Sequence, residues 1–92
     1  MGNEVPETAD FGVTISGNSI EPRFIDGQTV WVHEQEKLSE GETGIFFYAG
    51  NAYIKKLGYI GDMTVLLSLN PSYEPIQIQE NEEFKVFGKV VG

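Results

Sequence analysis

The sequence contains no cysteine and a single histidine, His33. The first absence excludes a disulfide framework and thiolate metal sites, and the second excludes His-rich metal clusters and two-histidine relays. A Ser-His-Asp arrangement would have to use His33 as its base. Basic residues are scarce too: six Lys and Arg stand against 14 Asp and Glu, for a net charge of −8. Only Lys55 and Lys56 are adjacent, so the chain lacks the clustered cations that displace counterions from DNA phosphates. No apolar run approaches the ~20 residues of a membrane span, and the N-terminus lacks the basic-then-apolar pattern of a signal peptide. The expectation is a cytoplasmic protein with no membrane partner, no metal and no cofactor. Its 92 residues are enough for one domain with a modest core.

What is present is a succession of short β-rich runs separated by turn signals. Residues 1–9 (MGNEVPETA) are polar and aperiodic and read as a flexible lead-in, leaving residues 10–92 as the domain. Phe11 to Ser16 alternates, with Phe11, Val13 and Ile15 on one face, and Gly17-Asn18 ends it. After the Asp26-Gly27 turn, Gln28 to His33 places Val30 and Val32 in phase. Thr43 to Ala49 is almost wholly apolar, and Gly50-Asn51 fits a two-residue hairpin turn leading to a return strand from Ala52 to Leu57. Gly58 to Asp62 reads as another turn, followed by strands at Met63 to Leu69, Pro75 to Gln79 and Phe84 to Val91. Gly88 marks a bulge or bend in the last of these. The only candidate for a helical turn is Glu34 to Glu40. The pattern predicts an all-β, mostly antiparallel fold of about seven strands.

Two features carry chemistry. The first is Ser16-Gly17-Asn18-Ser19-Ile20-Glu21-Pro22. A nucleophilic hydroxyl must protrude from a tight turn with backbone N–H groups near the developing oxyanion, and a nearby glycine permits such a turn. Ser19 meets this demand, with the N–H groups of Asn18 and Ser19 as donors. Ser16 falls inside the strand and is the weaker candidate. Taken alone, Gly-x-Ser between two strands is usually just a turn. The second feature is Lys55 in Ala52-Tyr53-Ile54-Lys55-Lys56-Leu57. A lysine acts as a base only when neutral, so burial must lower its pKa from ~10.4 by roughly three pH units. Alternation puts Lys55 with Tyr53 and Leu57, and Lys56 with Ala52 and Ile54, and both settings are apolar. Periodicity therefore leaves the choice between them open. His33 has no motif behind it, and Asp26 reads as a turn organiser.

Together the two segments resemble the serine and lysine motifs of the LexA and phage-type repressor family of self-cleaving serine peptidases. The resemblance runs from about Asp10 to Gly92 and includes Leu69-Asn70-Pro71, Tyr73-Pro75 downstream, and the closing Phe87-Gly88-Lys89-Val90-Val91-Gly92. It implies a small twisted LexA-like C-terminal β-fold. It also implies the function of a repressor's C-terminal regulatory domain, which dimerises and inactivates repression by Ser-Lys self-cleavage, as in the SOS response and prophage induction. By family pattern Ser19 would be the nucleophile, Lys55 the base, and the Asn18–Ser19 backbone the oxyanion hole. Phe84, Val86, Phe87 and Val90 on the final strand would serve a homodimer. The partners implied are a second copy, the RecA filament, and DNA only through a helix-turn-helix domain lying outside this sequence.

Three departures qualify the match. Ile20 replaces the usual Met after the serine. No Ala-Gly or Cys-Gly cleavage pair precedes Phe11, and Ala49-Gly50 falls where a turn is expected. No helix-turn-helix is present. A non-proteolytic dimerisation or signal-sensing module of a repressor is the alternative reading, and a signal peptidase-like hydrolase is a distant third.

Overall fold

The computed structural model of the chain describes residues 5–17, 20 and 23–92. Within them, β1 (Phe11–Thr14), β2 (Thr29–Glu34), β3 (Thr43–Tyr48), β4 (Asn51–Ile60), β5 (Met63–Leu67), β6 (Ile76–Gln77) and β7 (Phe84–Val90) form one sheet. The strand order is β1-β2-β7-β3-β4-β5-β6, and every pairing is antiparallel. This is the all-β architecture expected from the alternating runs. The described residues contain no helix. The helical candidate, Glu34 to Glu40, is instead the last residue of β2 followed by a loop, in which the Ser39 N–H donates to Glu42 Oε1 at 2.8 Å and the Gln35 amide to the Lys37 carbonyl at 2.6 Å. Such short local bonds compete successfully with a helix that has no apolar stripe to bury.

Two boundaries differ from expectation. The β3–β4 turn is Ala49-Gly50, because Tyr48 pairs with Asn51 and both turn residues have positive φ (50° and 89°). A two-residue hairpin wants that backbone twist, and here an alanine accepts it. In addition, β4 runs on to Ile60. Gly58 lies inside the strand, where an added Cβ would come within 2.7 Å of Leu67 Cδ1. This glycine makes room for a neighbouring side chain and does not end the strand. The turn is confined to the end of the expected Gly58 to Asp62 stretch, at Gly61-Asp62, between the paired residues Ile60 and Met63.

Cross-strand partners share a face, so the register sorts the core. Ile45 pairs with Ile54 on one face, and Phe46 pairs with Tyr53 on the other. The first face belongs to a cluster of Ile15, Ile20, Phe24, Val30, Val32, Ile45 and Val90. The second belongs to Phe46, Leu57 and Leu66, with Leu38, Tyr53, Phe84 and Val86 packed against them. Strand β7 serves both. Ile45 faces Gly88 while Phe46 faces Val86, so Phe87 is passed over by a bulge. That extra residue turns Val90 toward one cluster and Val86 toward the other.

Candidate active site

Lys55 sits in the middle of β4, opposite Gly44 of β3. It is one of the few buried polar side chains among the described residues, at 5 % exposure. Its neighbours on the same face, Tyr53 and Leu57, carry no charge, and no described carboxylate pairs with it. Burial therefore pushes the Lys55 amine below its ordinary value, since an ammonium loses hydration there without gaining a counter-charge. Nζ donates to Ser68 Oγ at 2.6 Å. The rings of Tyr73 and Tyr53 lie 5.3 and 5.9 Å from Nζ, contacts that favour the charged form and oppose the burial effect in part. Lys56 projects to the opposite face with Ile54 and is only half-buried. The tertiary structure thus distinguishes two lysines that periodicity left equivalent.

The serine segment reaches the same place. A cavity of about 270 Å³ is lined by Val13 to Ser16, Ile20, Ile45 and Ala52 to Lys55. Asn18 and Ser19 lie outside the described residues, and so does the oxyanion hole expected from their backbone. Their described neighbours are firmly held. Ile20, next to Ser19, is 2 % exposed and packs in the first cluster. On the other side, the Gly17 N–H donates to Asp26 Oδ1 at 2.8 Å, and Gly17 has φ 93°. The Asp26 side chain therefore reaches beyond its own turn to Gly17, two positions before Ser19 in sequence. Alternation along the strand gives no hint of this contact, which spans two turns.

His33 is engaged elsewhere. Its Nδ1 lies 2.8 Å from the Thr8 carbonyl and 3.1 Å from Asp10 Oδ2, and the residue does not line the cavity. Ser16 does line it, at an exposed position. No group of three or more His, Asp or Glu side chains suited to a metal ion occurs among the described residues. No helix there is long and apolar enough to cross a membrane.

The residues expected at a dimer interface occupy different environments. Strand β7 is interior to the sheet, with its edges taken by β2 and β3. Val90 is buried in the first cluster, and Phe84 stacks on Phe46 with ring centroids 5.8 Å apart. Phe87, at the bulge, is exposed and meets Phe47 edge-on at 6.4 Å.

A buried lysine without a counter-charge, facing the cavity beside a glycine-flanked serine segment, has the makings of a serine hydrolase site. The sequence model of the Peptidase S24-like family matches residues 2–91. The chain belongs to this family. It is 33 % identical over 84 residues to LexA repressor 2 of Pseudomonas syringae pv. tomato, covering 90 % of the chain and 42 % of that protein. The LexA repressor of Carboxydothermus hydrogenoformans is 33 % identical over an alignment of 90 positions, with 95 % of the chain and 43 % of the repressor covered. That of Syntrophotalea carbinolica is 33 % identical over 95 residues, at 97 % and 47 % coverage. The chain thus spans less than half the length of these curated relatives. Its sequence and its antiparallel sheet are those of a LexA-like C-terminal domain in the S24-like family.

Proposed function

We propose that this domain regulates a LexA-like transcriptional repressor by cleaving its own polypeptide, with Ser19 as nucleophile and Lys55 as general base. The observation that carries the reading is the burial of Lys55 without a carboxylate partner, which lowers its pKa and favours the neutral, basic amine. In the first step the Lys55 lone pair takes the Ser19 hydroxyl proton as Oγ attacks the carbonyl carbon of a peptide bond. The carbonyl oxygen becomes an oxyanion, for which the N–H groups of Asn18 and Ser19 are the donors. The Lys55 ammonium then gives its proton to the departing amine as the C–N bond breaks and an ester to Ser19 remains. Water, deprotonated by the regenerated amine, hydrolyses that ester. Neither a metal nor a cofactor enters this scheme.

Dimerisation is the second part of the reading. Phe87 is the member of the expected set, Phe84, Val86, Phe87 and Val90, whose side chain is free to meet a second copy. Phe84, Val86 and Val90 would support it from within the sheet. The DNA contact, the RecA filament as stimulus and the cytoplasmic setting follow from likeness to LexA repressors.

The test is incubation of the full-length protein between pH 7 and 10, with and without activated RecA filament, followed by mass spectrometry. A single cut that speeds up with pH and is lost in Ser19→Ala is expected. A folded dimer that never cleaves would make the domain a dimerisation and sensing module.

A further inference from the structure

We infer that Ser68 is a positioning residue for the general base, its hydroxyl oxygen holding one N–H of Lys55 so that the amine's lone pair is aimed into the cavity. This inference rests on the reading of Lys55 as the base. The Nζ–Oγ distance is 2.6 Å, and the backbone makes the contact a built one. Strands β4 and β5 pair with Lys56 opposite Leu67, so the next step of the same register sets Lys55 opposite Ser68, just past the end of β5. Both groups therefore belong to adjoining antiparallel segments, and neither needs a long reach. Ser68 is itself half-buried.

Burial alone does not orient a lysine. Its four-carbon stem leaves the amine free to rotate, and the Tyr53 and Tyr73 rings near Nζ attract a cation without fixing the direction of a lone pair. A neutral amine has two N–H donors and one lone pair. Fixing one donor on a neighbouring oxygen confines the lone pair to a narrow range of directions, which is the orientation that proton abstraction requires. The choice of a hydroxyl matters as well. A carboxylate at this position would accept the same hydrogen bond but would stabilise the ammonium and oppose basicity. Serine supplies the acceptor without the charge, and in this way reconciles a held lysine with a neutral one.

The experiment compares Ser68→Ala, Ser68→Thr and Ser68→Asp with the parent in two assays. The first follows the Lys55 side chain by NMR titration of the 92-residue chain labelled with 13C-lysine. The second follows cleavage of the full-length protein from pH 7 to 10. Ser68→Ala should change the Lys55 13Cε shift and lower the maximal cleavage rate by roughly 10- to 100-fold, the cost of a misaimed reacting group. Ser68→Thr, which keeps the hydroxyl, should restore most of that rate. Ser68→Asp should move both the Lys55 titration and the midpoint of the pH–rate profile upward together, a displacement that loss of packing would not produce. An unchanged 13Cε shift and an unchanged rate in Ser68→Ala would overturn the inference. If the parent itself never cleaves while the NMR response is present, Ser68 remains the partner of the lysine but its catalytic role falls, together with the proposed function.

Discussion

Lys55 and Lys56 are neighbours in sequence and occupy opposite sides of one strand. On one side, with Tyr53 and Leu57 beside it and the Phe46 cluster on the same face, Lys55 is buried, held by a hydroxyl and short of counter-charge. On the other side, with Ile54, Lys56 is half-buried and retains access to water. The same side chain, displaced by one position along a strand, is in one case buried without a counter-charge and in the other a half-buried, hydrated cation. The difference is one of solvation, since the two residues have the same intrinsic chemistry.

The comparison can be broken most severely by removing each amine in turn. Lys55→Ala should reduce self-cleavage of the full-length protein by about 10²- to 10⁴-fold, the usual contribution of a positioned general base. Lys56→Ala should leave the rate within roughly twofold, as for a surface change away from the site. Comparable losses in both, measured by mass spectrometry of timed samples, would dissolve the distinction.

Next in size is the packing on the Lys55 face. Phe46 is fully buried and stacks on Phe84. Phe46→Ala should cost about 3–5 kcal/mol in urea-induced unfolding, the range for emptying an aromatic core position. A cost below about 1 kcal/mol would show that this face is not the packed wall that keeps water from Lys55.

A subtler test uses stability against pH. Burial lowers the folded-state pKa of Lys55, so below that pKa the fold bears the full cost of a desolvated ammonium. As pH rises from the lowered value toward the unfolded value near ~10.4, the unfolded chain keeps a proton that the folded chain has released. Stability should therefore rise with pH in that window. Lys55→Met should be more stable than the parent at neutral pH and should lose this slope, whereas Lys56→Met should change stability by no more than about 0.5 kcal/mol. Urea midpoints at several pH values decide the matter.

The smallest effect concerns Glu42, whose carboxylate accepts from Lys89 at 2.8 Å and is held below the usual carboxylate range by that bond and by the Ser39 N–H. A depressed carboxyl stabilises the fold above its unfolded pKa and ceases to do so as pH falls through the lower, folded one. Glu42→Gln should weaken this acid-side dependence slightly, and salt should mask it.

Much of the fold was legible because strands betray themselves by alternation and turns by their residue types. Val30 and Val32, in phase in the sequence, are both fully buried. Gly58 and the Ala49-Gly50 turn were misjudged for opposite reasons. A glycine inside a strand looks like a stop when the Leu67 side chain that needs its space is out of view, and an alanine at positive φ runs against local preference. At the site, Lys55 could be singled out from the family pattern but not from periodicity. Ser68 was not singled out, and Asp26 was read only as the organiser of its own turn, because each bonds to a residue distant in sequence.

By itself, then, the sequence determined the β-class of the fold, the turns at most strand ends and the presence of a serine segment and a lysine strand, all of which depend on short-range preferences. Only the tertiary structure decided which lysine loses its water, which hydroxyl holds it and which carboxylate accepts from Gly17. Solvation and hydrogen-bond partnership are set by what other parts of the chain bring alongside, and strand register fixes that at a distance no local pattern encodes.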